Sequence, residues 1–186
     1  LSGQFREELN SDARVNDSLM KIAEDIKKTS NIEMEGRKAE LVTLLKPFKS
    51  NFQLNSSFCL ALDPRWEVDD FIFDKCNVMN SKKLPLWLVC QNSQKDAPPL
   101  KLLFKCGDDL RQDQLAMQLI QIMDKIWLDN GLDFRMKPYR VLATLDQVGM
   151  IEVVLNAETT SKIHKTYGGK FGALKETTIK DYLKVY

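Results

Sequence analysis

The sequence predicts an α+β fold, with a helical first part followed by a mostly antiparallel sheet that carries one long inserted helix. Apolar residues recur at helical spacing up to about residue 49. From about residue 57 the pattern changes to short apolar runs separated by turn residues, which is typical of strands. One long helical pattern interrupts those runs between Leu115 and Trp127. We therefore expect a helical segment over residues 1–49 and a second part over residues 50–186.

Two apolar stripes predict the helices of the first part. One stripe runs from Val15 to Ile26, and the other runs from Ala39 to Leu45 and is halted by Pro47. A polar break at residues 30–31 separates them. Their polar faces carry no aromatic anchors, so the stripes are typical of core-facing helices rather than of a partner or membrane surface.

Short apolar runs predict the strands, and turn residues predict what lies between them. The expected strands are residues 58–62, 70–79, 86–90, 100–105, 140–144 and 148–154. Residues 91–99, which include a Pro-Pro pair, indicate a hairpin loop. Two further helices are expected at 158–164 and 176–182, on either side of a glycine-rich segment at 167–172.

The most informative segment of the chain is residues 100–113. In the expected strand, Leu100, Leu102 and Phe104 share one face by period two, and Lys101, Leu103 and Lys105 share the other. Lys105 is thus the last side chain of a half-apolar face before the chain turns. A cation held there, at the edge of a cleft, suits pairing with the phosphates of a nucleotide. The alternative is a lysine that simply ends a strand at the surface.

An unusual group of acids follows Gly107. Asp109 is expected to be the N-cap of the long helix, with Gln112 in the capping-box position. The helix is expected to end before the Asn-Gly pair at 130–131. Capping accounts for one or two acids in this turn, but not for Asp108, Asp109 and Asp113 together around Arg111.

Residues 104–113 resemble the ATP-lysine segment of the phosphoinositide 3-kinase superfamily catalytic domain. The resemblance implies that the fold is a kinase-like small lobe. It also implies that Lys105 pairs with the α- and β-phosphates of ATP, and that Asp113 or Asp108 orients it.

A second resemblance lies between two expected strands, in residues 79–87. A loop with a hydroxyl, free backbone N–H groups and two lysines can hold phosphates, although a basic hairpin turn has the same composition. The sequence looks like the phosphate loop of phosphoinositide 3-kinases, which is not glycine-rich. By that resemblance Ser81 and Lys82 face the phosphates, while Met79 and Trp87 pack against the adenine.

Residues 149–154 resemble the hinge that joins the two kinase lobes in this family. The resemblance implies that backbone groups of Glu152 and Val154 bind the adenine edge and that Ile151 lines the pocket. Tyr139 matches a tyrosine at the back of the pocket, and its hydroxyl is expected to reach Asp113. Arg140 and Leu145 occupy positions where the best-known members carry glycine.

The resemblance runs from about residue 15 to residue 186 and favours class II over class I. Residues 22–30, 58–64, 162–164 and 173–180 look most like class II enzymes, whereas the phosphate loop and residues 150–154 look more like class I. The resemblance implies the ATP-binding portion of a lipid kinase that phosphorylates the 3-hydroxyl of phosphatidylinositol or its phosphates. A related 4-kinase, a protein kinase of the related large family and a non-catalytic module retaining the fold are the alternatives.

The Asp-Arg-His-x-x-Asn and Asp-Phe-Gly motifs of this family do not occur in the sequence. The chain also starts at a leucine, so we expect a fragment of a longer enzyme that lacks the large lobe and is inactive alone. The expected cofactors are ATP and Mg²⁺, with the metal ligands in the large lobe. The expected location is cytoplasmic, peripherally bound to plasma or endosomal membranes, where the parent enzyme meets its phosphoinositide substrate.

Composition excludes some other classes of function. The net charge of +1 gives no general attraction to nucleic acid or to an anionic membrane. One histidine and four widely spaced cysteines argue against a zinc site and indicate reduced, packed thiols.

Overall fold

The computed structural model describes residues 3–29, 33–51, 57–169 and 177–185. It divides the chain into two compact units, residues 1–153 and residues 154–186, which are described separately. The domain boundary expected at residue 49 stays a prediction.

The first unit begins with helices, as predicted. They are α1 (Gly3–Lys28), α2 (Met34–Leu45) and the short α3 (Phe48–Asn51). The α1 stripe is buried at Val15, Leu19, Ile22, Ala23 and Ile26, which confirms its assignment to the core. In the α2 stripe Leu41 and Leu45 are buried, whereas Ala39 is exposed. The polar break expected at residues 30–31 lies outside the described residues.

Seven strands of the described residues form one sheet in which every neighbouring pair is antiparallel. The strand order is β1-β2-β4-β5-β7-β6, and β3 pairs with β4. The strands are β1 (Phe58–Leu60), β2 (Asp63–Phe71), β3 (Asn77–Val78), β4 (Leu86–Asn92), β5 (Leu100–Cys106), β6 (Val141–Leu145) and β7 (Val148–Glu152). The long helix, α4 (Arg111–Asp129), is inserted between β5 and β6. The first unit therefore has the α+β arrangement expected of a kinase-like small lobe.

The predicted strand over residues 70–79 is wrong. Its first two residues end β2, a 3₁₀ turn occupies Phe73–Lys75, and only the two-residue β3 follows. The apolar alternation of β2 is confined to its middle, because Pro64 precedes it and the register shifts between Val68 and Asp70. The apolar run at residues 71–73 looked like the strand, although it lies where the strand ends.

The core of the first unit lies between its N-terminal helices and one face of the sheet. Leu88, Phe104 and Met150 come from neighbouring strands and are fully buried. Phe48 of α3 packs edge-on against Phe71, with ring centroids 5.1 Å apart. This packing leaves the opposite face of the sheet, which carries Lys105, outside the main core.

The second unit consists of α5 (Thr160–Gly168) and α6 (Thr178–Val185), each starting two residues later than predicted. The Thr159 side chain caps α5 by accepting a hydrogen bond from the Lys162 N–H at 3.2 Å. The rings of Tyr167 and Tyr182 pack edge-on with centroids 5.3 Å apart. Residues 170–176, which include part of the predicted glycine-rich segment, lie outside the described residues. No helix in the described parts of the chain is long and apolar enough to cross a membrane.

Candidate functional site

The register of three central strands places several predicted site residues on one face of the sheet. Leu103 of β5 lies directly between Trp87 of β4 and Ile151 of β7. Directly opposed residues in neighbouring strands share a face, so these three side chains form a row across the sheet. Lys105 is the next residue of β5 on that face, and its partner in β7 is Gly149. At the end of the sheet nearer the following turn, this apolar row is thus flanked by the cation of Lys105.

Lys105 is held in place by an acid from the turn that follows it. Its ammonium nitrogen lies 3.6 Å from a carboxylate oxygen of Asp108, and only 25% of its side chain is exposed. Of the two acids expected to orient Lys105, the structure therefore pairs it with Asp108. Asp113 lies exposed on the first turn of α4 and makes no ion pair with a described residue.

The turn after Lys105 is anchored to the β6–β7 hairpin. Gly107 has φ +95°, a backbone conformation that favours glycine. Its N–H and that of Asp108 both donate to the Gln147 carbonyl oxygen, at 2.6 and 3.2 Å. These bonds hold Asp108 within reach of Lys105.

Gly149 makes room for the start of the long helix beside Lys105. A Cβ at this position would lie 2.8 Å from Leu110 Cδ1 and would collide with the Leu142 carbonyl oxygen. Leu110 is only 2% exposed. The sequence alone did not indicate that Gly149 and Leu110 contact each other beside Lys105. Their proximity depends on the pairing of β5, β6 and β7.

The predicted N-cap of α4 is wrong. The helix begins at Arg111, its N-cap residue is Leu110, and no side chain caps it, so the capping box with Gln112 does not form. The Asp109 carboxylate instead accepts the Arg111 backbone N–H at 3.1 Å and two guanidinium N–H groups at 2.8 and 2.6 Å. These bonds lower the pKa of Asp109 to about 2. Because the carboxylate is occupied by Arg111, it does not cap the backbone N–H groups of the next residues of α4.

The loop between β3 and β4 leaves several hydrogen-bond donors unused. Met79 N–H donates to Pro85 O at 2.8 Å, and Leu84 N–H donates to Ser81 O at 3.1 Å. Among the described residues, the backbone N–H groups of Asn80, Lys82 and Lys83 have no partner. The side chains of Ser81 and Lys82 are exposed, as is Met79 at 39%. The loop precedes β4, so it lies at the same end of the sheet as the turn that follows Lys105.

The expected hydrogen bond between Tyr139 and Asp113 is not formed. Tyr139 is half-buried, and its hydroxyl has no hydrogen-bond partner in the described part of the chain. Its position immediately before β6 keeps it near that edge of the sheet, while Asp113 lies on the outer side of α4.

The Glu152 side chain lies on the opposite face from Ile151, so only its backbone is available on the face that carries Lys105. Its carboxylate accepts hydrogen bonds from the Arg140 backbone N–H at 3.0 Å and from the Arg140 guanidinium at 2.9 Å. Val154, the other expected hinge contact, is the first residue of the second unit and is 43% exposed.

An ion-pair network that sequence reasoning missed supports this hinge segment. Arg140 Nε lies 2.9 Å from Asp63, and the Arg140 guanidinium also stands 5.4 Å from the centre of the Trp66 ring. Arg65 binds the same Asp63 carboxylate through two further bonds. The Asp-x-Arg spacing at 63–65 was a visible signal, but nothing local in the sequence indicates that Arg140 joins it.

Two other features bear on the kind of ligand. Among the described residues, no group of three or more histidine, cysteine or acidic side chains is placed to hold a metal ion. A separate pocket is lined by Asp69, Ile72 and residues of the 91–99 hairpin. It lies at the end of β4 away from Lys82 and Lys105. It shares no residue with the predicted site.

Comparison with known proteins identifies a related family. Residues 99–185 match the family described as phosphatidylinositol 3- and 4-kinase. The match includes Lys105, Asp108, α4 and the hinge segment. Residues 99–185 belong to this family.

Relatives in this kinase family are similar along nearly the whole chain. Phosphatidylinositol 3-kinase 2 of Dictyostelium discoideum is 44% identical over 98% of this chain and 10% of its own length. The human phosphatidylinositol 4-phosphate 3-kinase C2 domain-containing subunit beta is 37% identical over 97% of this chain and 11% of its own length. The presence of C2 domain-containing subunits among the relatives agrees with the class II-like resemblance. The chain spans about a tenth of the length of the relatives that it matches.

Proposed function

We propose that the chain is the ATP-binding portion of a lipid kinase that phosphorylates the 3-hydroxyl of phosphatidylinositol or its phosphates. The observation that carries the proposal is the row of Trp87, Leu103 and Ile151 with Lys105 beyond it on the same face. An apolar row suits a flat base, and a partly buried cation suits a phosphate chain. The relatives of this family are named phosphatidylinositol 3-kinases, which supports the choice of the 3-hydroxyl over the 4-hydroxyl.

The described residues fit a nucleotide, because cations and unused N–H donors outnumber acids at the phosphate end. Lys105 would hold the α- and β-phosphates, kept in position by Asp108. Ser81, Lys82 and the unused backbone N–H groups of their loop would hold the outer phosphates. Met79, Trp87 and Ile151 would pack against adenine, and the backbone of Glu152 would bind its edge.

The described residues do not fit a resident magnesium ion. Asp108 already pairs with Lys105, and no acidic cluster stands beside it. We therefore assign no step to a metal held by these residues. Following the family resemblance, we propose that Mg²⁺ ligands, the group that orients the acceptor hydroxyl and the lipid contacts belong to the large lobe of a parent enzyme. That enzyme would act at the cytoplasmic surface of plasma or endosomal membranes.

A binding experiment tests the nucleotide site directly. Isothermal titration calorimetry is expected to show that the 186-residue chain binds ATP. Lys105→Met is expected to weaken this binding at least about tenfold, because one charge-assisted phosphate contact is lost. Lys101→Met is the matched control, since Lys101 lies on the same strand and by period two on the same face, nearer to the hinge.

Two results would contradict the proposal. One is a wild-type chain that binds no adenine nucleotide, and the other is an equal loss of ATP affinity in the two lysine variants. Equal loss would mean that the general positive charge of the strand, rather than the placement of Lys105, attracts the nucleotide.

A further inference from the structure

Helix α1 places one lysine side chain against the turn that follows Lys105. Lys27 lies in the last turn of α1 and is partly buried. Its ammonium group donates a hydrogen bond to the carbonyl oxygen of Cys106, the last residue of β5. The contact joins residues that are 79 positions apart in the sequence.

A second lysine meets Lys27 at the same turn. A Cβ built on Gly107 would lie 3.2 Å from Lys27 Nζ and 3.7 Å from Lys83 Nζ. The two ammonium nitrogens are therefore no further apart than the sum of those distances. A Cβ at this position would crowd the Lys27 ammonium group, and the φ of +95° also disfavours any residue other than glycine.

Neither of these two lysines is neutralised by an acid of the described residues. No carboxylate in that part of the chain lies within 4.0 Å of Lys27 or Lys83. By contrast, Lys105 pairs with Asp108, and Lys28, the neighbour of Lys27, pairs with Asp25 at 2.8 Å. Two cations held close together repel each other, and an anion placed beside them is attracted to both.

The position of this pair indicates which anion it would bind. Lys83 belongs to the loop that leads into β4, and the Gly107 turn follows directly from Lys105. Both lysines therefore lie at the same end of the sheet as the phosphate end of the proposed nucleotide site, and Lys27 reaches that end from α1, on the core side of the sheet. The group of ATP that extends furthest in this direction is the terminal phosphate.

We propose that Lys27 is a further phosphate-binding residue, which with Lys83 contacts the terminal phosphate of a bound nucleoside triphosphate. This inference rests on the proposed nucleotide site. It assigns part of that site to α1, which lies outside residues 99–185, the part of the chain that matches the kinase family. The hydrogen bond to Cys106 keeps the ammonium group at the turn when no nucleotide is bound.

Comparison of ATP, ADP and AMP tests this role, because the three ligands differ only in the number of phosphates. In titrations of the 186-residue chain, Lys27→Gln is expected to weaken ATP binding about tenfold and to leave AMP binding unchanged. Glutamine removes the charge but keeps an N–H donor for Cys106. Lys28→Gln is the matched control, and it is expected to change the affinity for none of the three ligands.

A measurement on the wild-type chain covers the case in which the variant does not fold. The side-chain NMR signal of Lys27, identified with Lys27→Arg, is expected to shift on addition of ATP or inorganic triphosphate and to stay unchanged with AMP. The Lys28 signal is expected to stay unchanged in all three titrations.

The outcomes separate this inference from the proposed function. If wild type binds ATP and Lys105→Met weakens that binding as expected, while Lys27→Gln weakens ATP and AMP binding equally or not at all, Lys27 is only structural and the inference is wrong. If the wild-type chain binds no adenine nucleotide, the proposed function is wrong and the inference falls with it.

Discussion

Asp63 and Asp109 make the same contacts with an arginine two residues later, but their surroundings differ. Each carboxylate accepts the backbone N–H and two guanidinium N–H groups of that arginine. These bonds lower the pKa of both aspartates to about 2. Asp63 is 4% exposed and also pairs with Arg140, whereas 39% of the Asp109 side chain is exposed. Solvent screens an exposed ion pair, so the same shift in pKa has different consequences for stability.

We predict that Asp63→Asn lowers the free energy of unfolding by about 2 kcal/mol at pH 7, as the shift from 3.8 to about 2 implies. A carboxylate with a lowered pKa stabilises the fold above its unfolded pKa and loses that effect as the pH falls through its folded pKa. The difference between wild type and variant is therefore expected to shrink as the pH falls from about 5 towards 2. Urea denaturation over this pH range measures it.

Asp109→Asn is the matched control for that experiment and is expected to have a clearly smaller effect. An equal loss of stability in the two variants would show that burial and the contact with Arg140 add nothing to Asp63.

At the scale of elements, α4 shows how an apolar pattern differs from a buried surface. Its sequence carries apolar residues at helical spacing, yet none of its residues is buried among the described parts of the chain. The contacts that hold it include a hydrogen bond from the Ala143 N–H to Gln114 at 2.9 Å and the packing of Trp127 on Phe134. Leu115, Leu119, Ile122, Met123 and Ile126 are all between 46% and 57% exposed. The residue that fixes the start of the helix is Leu110, just before it.

We predict that Leu110→Ala lowers the free energy of unfolding by about 2–4 kcal/mol, because it leaves a cavity next to Gly149. Ile122→Gln, on the exposed face of α4, is expected to change stability by less than about 0.5 kcal/mol. Chemical denaturation of the 186-residue chain compares the two variants. Similar losses at both positions would mean that the apolar face of α4 is covered in solution.

At the scale of the whole molecule, we expect this chain to bind a nucleotide without catalysing phosphoryl transfer. Phosphoryl transfer needs groups that orient the acceptor hydroxyl and hold metal ions, and the motifs that supply them in this family are absent from the sequence. We predict that the purified 186-residue chain binds ATP but transfers no labelled phosphate to phosphatidylinositol vesicles above the level of Lys105→Met. Transfer that depends on Lys105 would show that the chain holds a catalytic apparatus that its sequence does not reveal.

Strong local patterns were enough to predict much of the fold. The α1 stripe from Val15 to Ile26 and the strands β4 and β5 were found because side-chain periodicity follows directly from backbone geometry. The strand β2 was missed because Pro64 and the pair Asp69 and Asp70 confine its apolar alternation to the middle of the strand. The N-cap at Asp109 was wrong because two rules compete for one carboxylate, and pairing with Arg111 prevailed over capping.

The sequence by itself determined that Lys105 ends a half-apolar strand before a glycine turn, since both features depend only on neighbouring residues. Only the tertiary structure decided which groups surround that turn. Lys27 reaches it from another helix, and Arg140 joins Asp63 to Glu152 across separate strands. Such contacts depend on how distant segments pack, and the chemistry of a single residue does not specify its distant neighbours.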